Sequence, residues 1–328
     1  MSCRVRVCGG FFGDPRRGND REDDAQSTCR NQSLRKHGLP CGISLKGSKV
    51  LWFVVCETSI EELARGELSR YDATSKQFLP FLSGKSADAV SFSKDGQWVV
   101  YANFPDGTLW RSKVDGSQRI QLTYAPLSVG LPSWSPDGRQ IVFSASAPGQ
   151  RWKVYTLAAD GGTPLDMIPG DSQDETDPTW SPDGTRIAFE FGRAVFDTNA
   201  TIRFLDVNTH QVSTLPGSTG LSSPRWSPDG RHLVAMPFDG TSLMLFDFAT
   251  QKWEEIAKIS PASPNWSKSG DYVYFLDVNQ PSVVRIRIRD LKMERVADLK
   301  NFRQTGFSTW LGLAPYDSPL LLRDTGTQ

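Results

Sequence analysis

Trp134-Ser135-Pro136-Asp137-Gly138 occurs again at residues 180–184 and a third time at residues 226–230. A short apolar run follows each copy, for example Ile141-Val142-Phe143 after the first, which predicts a turn that leads into a β-strand. In such a turn proline presets φ at the first corner, aspartate accepts backbone N–H groups, and glycine adopts the positive φ that closes a bulged hairpin. A catalytic site is needed once, whereas a turn is needed in every repeat, so the phrase specifies the fold.

Weaker copies extend the repeat in both directions. Residues 93–96 and 267–270 keep the turn without its proline, residues 44–47 align with it, and residues 314–317 form a degenerate last copy. Successive closing positions are 49, 42, 46, 46, 40 and 47 residues apart; they are Gly47, Gly96, Gly138, Gly184, Gly230, Gly270 and Asp317. This spacing is typical of a four-stranded propeller blade, for which ~40–45 residues per repeat is usual.

The interior of each unit supports four strands. After the strand that follows the turn comes a second run, such as residues 108–111 or 202–205, and then a short outer run, such as residues 211–215. The strand that ends at each tryptophan completes the set, and no segment carries a sustained helical stripe. We therefore predict an all-β fold, a β-propeller of four-stranded antiparallel blades with seven units, the last incomplete. Six blades result if the first and last units merge into one.

The N-terminal residues differ in character from the repeats. Residues 1–40 mix basic and acidic residues with Gly, Ser and Asn and show neither strand nor helix periodicity, which predicts a disordered or loosely packed leader before a propeller domain at residues 41–328. The cysteines all precede residue 57; they are Cys3, Cys8, Cys29, Cys41 and Cys56. Because no close Cys-x-x-Cys pair is present, we favour unlinked thiols over a zinc site that includes His37.

Charge and hydropathy restrict the partners. Lys+Arg and Asp+Glu are both 37, so no global field favours nucleic acid or an anionic membrane, and we expect no direct nucleic-acid binding by this chain. The longest apolar run, residues 50–56, is far shorter than the ~18–20 residues that span a bilayer. Residues 1–12 lack the apolar core of a signal peptide, which favours a cytoplasmic over a periplasmic location.

The repeated Trp-Ser-Pro-Asp-Gly phrase, followed by an apolar strand and a strand that ends near an Asp-Gly turn, resembles the TolB-like (WD-like) β-propeller repeat of bacterial proteins over roughly residues 41–323. Residues 65–72, 107–117 and 318–324 are similar to propellers C-terminal to winged-helix DNA-binding domains in bacterial transcriptional regulators. The resemblance implies a sensor or interaction module. Because residues 1–40 cannot hold a winged helix or a kinase domain, we expect the propeller portion of a larger protein, or a divergent or truncated relative.

The sequence offers little catalytic chemistry. Its histidines are His37, His210 and His232, without a partner at metal spacing, and it contains no Gly-x-Ser-x-Gly nucleophile elbow. We interpret the repeated aspartates as turn acceptors rather than calcium ligands, and the repeated tryptophans as packing residues between blades. We therefore expect no enzymatic activity, no cofactor and no metal.

One acidic segment breaks the repeat and predicts a ligand or partner site. Residues 171–177 precede the inner strand at Trp180, whereas the corresponding loops of other units are neutral. Such loops surround one mouth of a propeller channel, so we predict that Asp174, Glu175 and Asp177 face a ligand there, with Arg225 beside them.

Three classes of function follow. The first is a non-enzymatic binding or sensory propeller that engages a protein or small ligand at the channel mouth. The second is a propeller enzyme such as a lactonase or another hydrolase, which needs a metal or acid cluster on the axis. The third is a transcriptional regulator whose DNA-binding domain lies outside this sequence.

Overall fold

The computed structural model describes residues 64–193 and 197–327, together with three strands before them. The chain divides into two compact units, Met1–Leu63 and Ala64–Gln328. The first unit contains an antiparallel sheet of order β2-β1-β3, formed by β1 (Arg4–Gly9), β2 (Arg30–Gln32) and β3 (Trp52–Glu57). The cysteines and His37 lie outside the residues whose side chains are described. Unlinked thiols therefore stay a prediction, as do the leader at residues 1–40 and the propeller domain at residues 41–328.

The second unit is a β-propeller of six four-stranded antiparallel sheets. Its strands are β4 (Ala64–Asp72), β5 (Gln77–Pro80), β6 (Ala87–Phe92), β7 (Trp98–Asn103), β8 (Thr108–Lys113), β9 (Ile120–Gln121), β10 (Ser128–Trp134), β11 (Gln140–Ser146), β12 (Lys153–Ala158), β13 (Leu165–Asp166), β14 (Asp174–Trp180), β15 (Arg186–Gly192), β16 (Thr201–Asp206), β17 (Val212–Thr214), β18 (Leu221–Trp226), β19 (His232–Pro237), β20 (Ser242–Asp247), β21 (Lys252–Lys258), β22 (Pro261–Trp266), β23 (Tyr272–Asp277), β24 (Ser282–Arg287), β25 (Lys292–Asp298), β26 (Gly312–Ala314) and β27 (Ser318–Thr327). A single 3₁₀ turn, Leu82–Gly84, joins β5 to β6. No helix in this described part is long and apolar enough to cross a bilayer.

The blades follow the chain in order. Blades 1 to 5 are β6–β9, β10–β13, β14–β17, β18–β21 and β22–β25, and blade 6 has the strand order β26-β27-β4-β5. The first strand of each blade contacts the first strand of its neighbours, so β6, β10, β14, β18, β22 and β26 form an inner ring. The all-β propeller with four-stranded blades is confirmed.

The prediction of seven units is wrong, and the six-blade alternative is confirmed. The first and last units share one blade: β27 pairs with β4 from Leu320 opposite Arg70 to Thr327 opposite Ala64. The predicted first repeat included the strand that follows residues 44–47. In the structure this strand is β3, which pairs with β1 within the compact unit Met1–Leu63. Two strands from each end of the propeller sequence complete one sheet, which closes the ring and removes the exposed strand edges that an incomplete seventh blade would leave.

In blades 1 to 4 the turn after the inner strand has the predicted serine and aspartate chemistry. In blade 2, Ser135 Oγ donates to Asp137 Oδ1 at 2.6 Å and accepts the backbone N–H of Gln140 at 2.9 Å. Asp137 Oδ1 also accepts the N–H of Arg139 at 3.0 Å, and Gly138 has a φ of 72°. The same serine–aspartate pair occurs in blades 1, 3 and 4 at Ser93–Asp95, Ser181–Asp183 and Ser227–Asp229. The aspartates are therefore turn acceptors, as predicted.

The proline and glycine of the turn also connect neighbouring blades. A methyl group placed on Gly184 would lie 3.7 Å from Pro136 Cδ of the preceding blade. The same arrangement places Gly230 against Pro182 at 3.8 Å and Gly270 against Pro228 at 3.6 Å. A side chain at these glycines would touch the proline of the preceding blade, so the turns of blades 2 to 5 lie close together on this face of the ring.

The core lies between the blades, and the tryptophans at the ends of the inner strands help to build it. Trp134 is buried among residues of blades 1 and 2 and donates from Nε1 to the Ser91 carbonyl of blade 1 at 3.2 Å. Trp266 of blade 5 donates to the Arg225 carbonyl of blade 4 at 3.0 Å. The prediction that these tryptophans pack between blades is confirmed for both.

The turn network predicts the cost of losing one hydroxyl. Ser181 is buried, donates to Asp183 Oδ1 at 2.6 Å and accepts the N–H of Arg186 at 2.9 Å. In Ser181→Ala both groups lose a partner, so we expect a loss of about 1–3 kcal/mol in the free energy of unfolding, measured in urea. The control Ser213→Ala changes an exposed serine of β17 and should leave that free energy within about 0.5 kcal/mol of the wild type. Equal stability of the two variants would contradict the network.

The six-blade closure predicts a specific crosslink. Glu67 and Arg323 are directly opposite each other across β4 and β27, so cysteines there are within disulfide reach. With the native cysteines replaced by serine, Glu67→Cys/Arg323→Cys should form an intrachain disulfide on mild oxidation, detected by mass spectrometry of unreduced peptides. The control Glu67→Cys/Asp324→Cys places the second thiol on the opposite face of the sheet and should stay reduced. A reduced first variant would disprove the shared blade.

Candidate functional site

The inner strands share a bulge that shapes the central channel. In blades 1 to 5 the register shifts in the middle of the inner strand, at Asp88/Ser91, Gly130/Ser133, Thr176/Thr179, Ser222/Arg225 and Ala262/Asn265. Each shift contains a residue with positive φ, namely Ala89, Leu131, Asp177, Ser223 and Ser263, with φ between 42° and 53°. A bulge bends a strand and redirects its side chains. Because it recurs in five blades, the bulge belongs to the fold, and only the residues placed on it differ.

A cavity of about 350 Å³ lies among the inner strands. Its polar lining comes from the bulges and the positions after them: Ser91, Ser133, Asp177, Thr179, Arg225 and Asn265. Trp226, Trp266 and Trp310 supply large apolar walls. A mostly preformed concave site with a few polar groups is the usual form of a ligand pocket.

Asp177 and Arg225 are the charged residues of this lining. Arg225 Nη1 of blade 4 lies 2.6 Å from Asp177 Oδ1 of blade 3, and their side chains are 17% and 6% exposed. Arg225 Nη1 also donates to the Pro224 carbonyl at 2.8 Å, so the guanidinium is held by its own backbone as well as by the carboxylate. The contact uses one carboxylate oxygen of Asp177, and no described residue donates a hydrogen bond to the other, Oδ2.

Glu190 lies behind this pair on β15, opposite Thr176. Burial, and next the negative charge of Asp177, raise the pKa of Glu190 to about 8, while hydrogen bonds from the Ser223 backbone and the Thr176 side chain, and last the charge of Arg225, oppose the rise. The Glu190 carboxyl is therefore protonated at neutral pH, so Arg225 balances the charge of Asp177 alone. Sequence reasoning missed Glu190, although a lone acid inside the apolar run 187–191 was a usable signal.

Asp174 faces blade 2 rather than the cavity. Its Oδ1 accepts the backbone N–H of Trp152 at 2.9 Å, and its Oδ2 lies 3.2 Å from Arg151 Nη1. Asp174 itself is buried, whereas the Arg151 side chain is 54% exposed. The contact ties the start of the inner strand of blade 3 to the loop before β12.

Glu175 is fully buried against blade 2. Lys153 Nζ lies 2.7 Å from its Oε1, and the Val154 N–H donates to its Oε2 at 3.1 Å. Burial raises the pKa of Glu175, and the bonds from Lys153 and Val154 oppose that rise. The equivalent positions of blades 1, 2 and 4 are the apolar Ala87, Val129 and Leu221, so this ion pair replaces an apolar contact between blades. Removing one partner of such a buried pair costs about 3–5 kcal/mol.

Of the predicted site residues, the structure places Asp177 and Arg225 together in the channel. Asp174 and Glu175 bind blade 2 instead, through Arg151 and Lys153, which sequence reasoning did not connect with them. A role in ligand binding for all four stays a prediction. Within the described ranges no group of three His, Cys, Asp or Glu side chains is placed to hold a metal ion.

Comparison with known proteins supports the architecture. The chain matches no model of a known protein family and no curated protein. Among solved structures it is similar to a protein from Agrobacterium tumefaciens assigned as TolB, with a TM-score of 0.64 and 19% identity, covering 80% of this chain and 98% of that one. TolB from Acinetobacter baumannii gives a TM-score of 0.56 and 16% identity, over 80% of this chain and 65% of that one. The fold of this chain is a TolB-like β-propeller.

A further match shows how widely this architecture occurs. A chain in a nidogen/laminin complex has a TM-score of 0.56 and 12% identity, covering 73% of this chain and 93% of that one. At such identities the likenesses show the fold alone. The TolB-like propeller predicted from the repeat is confirmed, and the association with winged-helix regulators stays a prediction.

The raised pKa of Glu190 predicts a pH-dependent difference in stability. The folded pKa is about 8 against an ordinary value of 4.5, so between these pH values the folded state binds more protons than the unfolded one. The Glu190 contribution to stability is therefore lost as pH rises, at up to about 1.4 kcal/mol per pH unit. Glu190→Gln, which mimics the protonated form, should gain stability over the wild type from pH 5 to pH 8 in urea unfolding.

The measured quantity is the difference in free energy of unfolding between Glu190→Gln and the wild type. Contributions common to both proteins cancel in this difference, such as that of Asp88, whose pKa burial raises to about 6. The control Glu254→Gln changes an exposed glutamate of β21 and should track the wild type across the range. A constant difference between Glu190→Gln and the wild type would contradict a folded pKa near 8.

Proposed function

We propose that this propeller is a non-enzymatic binding module that takes a protein segment or a small ligand in its central channel, at Asp177 and Arg225, as part of a larger bacterial regulatory protein. The observation that carries the proposal is the Asp177–Arg225 pair in the wall of the cavity. Arg225 engages Oδ1 of the Asp177 carboxylate, which leaves Oδ2 to accept from a ligand, and the ion pair spans two blades. The regulatory setting is supported by the resemblance of residues 65–72, 107–117 and 318–324 to propellers of bacterial regulators.

The groups in the cavity suit recognition better than catalysis. Its hydroxyls come from Ser91, Ser133 and Thr179, and among the described residues that line it there is no histidine, cysteine or lysine to activate them. His232 belongs to β19, the second strand of blade 4, where it stacks on Trp266 and its Nε2 lies 3.8 Å from Asp247 Oδ2. A binding role therefore accounts for the lining without an additional catalytic group.

The pair also indicates what a ligand must offer. Asp177 accepts and Arg225 donates, so a group with an N–H donor beside a carbonyl or carboxylate acceptor complements both. A peptide backbone carries this combination at every residue. Asn265 lines the same cavity, and its Nδ2 is occupied by the Leu311 carbonyl at 2.7 Å and the Ser263 carbonyl at 3.1 Å, so it can offer a ligand only its Oδ1 acceptor.

Peptide selection tests the proposal. A random 12-residue phage library is panned on the wild-type protein, and selected peptides are measured by isothermal titration calorimetry. We expect binders that lose about tenfold or more in affinity on Asp177→Asn/Arg225→Gln, since two charge-assisted contacts are removed. The control Arg295→Gln/Asp298→Asn alters an exposed ion pair of blade 5 and should not change the affinity. Selected peptides that bind both double variants as tightly as the wild type would refute binding at this pair.

A further inference from the structure

The blades whose turns lack Trp-Ser-Pro-Asp-Gly are neighbours in space. In blades 2, 3 and 4 the second turn position is Pro136, Pro182 or Pro228. In blades 1 and 5 it is Lys94 or Lys268, whereas blade 6, which lies between them because it closes the ring, keeps a proline there, Pro315, and has Tyr316 in place of the turn aspartate. The departures from the repeat, scattered along the sequence, therefore come together in one sector of the turn face. This sector is called here the lysine sector.

The lysine sector contains a second cavity, of about 380 Å³. Lys94, Lys268 and Tyr316 line it, and its walls include Phe92, Pro228, Trp266, Leu313 and Pro315. Phe92, Pro228, Trp266 and Leu313 also line the channel cavity, so the second cavity lies at the turn end of the channel. Two cationic side chains thus stand at the rim of a pocket with mainly apolar walls.

The charge of this pocket is not neutralised from within. Both lysines are exposed, and neither has a carboxylate within 4.0 Å among the described residues. Asp317 also lines the pocket, and its Oδ1 accepts the backbone N–H of Lys268 at 2.8 Å. Two lysines and one aspartate leave a formal charge of one positive unit, which is complementary to a monoanion.

Tyr316 adds an aromatic surface that the fold does not use. Its residue is 94% exposed, and it has a φ of 73°, followed by Asp317 at 59°. A left-handed backbone conformation raises the free energy of the folded state for a residue with a bulky side chain. The exposed Tyr316 ring does not offset this cost by burial. An aromatic residue held in this way beside a pocket is suited to cover the apolar part of a ligand.

We infer that the lysine sector binds an organic monocarboxylate with an aromatic or aliphatic body, the carboxylate between Lys94 and Lys268 and the body against Trp266, Leu313 and Tyr316. The inference does not rest on the charged pair at Asp177, because Lys94, Lys268 and Tyr316 do not line the channel cavity and Trp266 contacts Arg225 only at its backbone carbonyl. A dianion such as phosphate is less well matched, since Asp317 lies in the same pocket and the walls offer few hydrogen-bond donors.

The test uses the full chain and 4-phenylbutyrate as the probe, with 4-phenylbutan-1-ol and inorganic phosphate for comparison, by titration calorimetry at low salt. For a ligand of this size we expect a Kd on the order of 1 mM for the acid. The neutral alcohol and phosphate should each bind about tenfold more weakly or worse. Lys94→Gln/Lys268→Gln should weaken the acid about tenfold, and Tyr316→Ala should weaken both the acid and the alcohol.

The matched control is Lys252→Gln, an exposed lysine of β21 on blade 4, which should leave binding unchanged, as should Asp177→Asn/Arg225→Gln. A thermal unfolding scan of each variant confirms that the exposed substitutions leave the fold intact. The inference is overturned if the acid does not bind, if the alcohol or phosphate binds as tightly as the acid, or if the lysine double variant keeps the wild-type affinity. Because the variants differ from those at Asp177, failure here leaves the channel proposal unaffected.

Discussion

A serine hydroxyl at the end of the inner strand organises each regular blade. In blade 3, Ser181 Oγ binds the turn aspartate and the N–H of Arg186, the first residue of the next strand, so it joins the turn to the strand pair that the turn connects. The same hydroxyl contact to the strand after the turn is present in blades 1, 2, 4 and 5. With the turn held in one conformation, its proline and glycine lie close to the adjacent turns, and the tryptophan before it is directed into the space between blades.

Blade-to-blade contact is where this propeller departs from strict repetition. Most junctions are apolar at the start of the inner strand, but the junction of blades 2 and 3 contains the buried Lys153–Glu175 pair. A buried ion pair adds little net stability compared with an apolar contact and strongly disfavours mispairing, because a lone buried charge is costly. The Asp177–Arg225 pair does the same between blades 3 and 4, with the difference that it borders the channel. The buried charges thus lie on the two sides of blade 3, one against blade 2 and the other against blade 4.

Much of the fold could be predicted from sequence, because each blade is local. The turn phrase, the strand periodicity and the spacing all lie within about 45 residues, and they correctly predicted the propeller, the strand number per blade and the role of the aspartates. The blade number could not be predicted in the same way. It depends on the pairing of Ser318–Thr327 with Ala64–Asp72, which joins residues at opposite ends of the propeller sequence and has no local signal.

The candidate site was predictable to a smaller extent for a related reason. The acidic segment before Trp180 stood out, yet its residues divide between two environments according to alternation along β14 and the bulge at Asp177. Asp174 and Glu175 meet basic residues of blade 2 that are more than 20 positions earlier in the chain. Asp177 turns to the channel because the bulge changes the alternation there. Glu190 belongs to the same group only through the pairing of β15 with β14.

Blade closure has a mechanical consequence. Ala64 and Thr327 are directly paired at one end of the β4–β27 ladder, so both ends of the propeller leave from the same point. Tension applied between them would load the hydrogen bonds of this ladder one after another, as a zipper opens, rather than all at once in shear. The ring would yield first at this blade, while the other five, each formed from one continuous segment, kept their internal pairing.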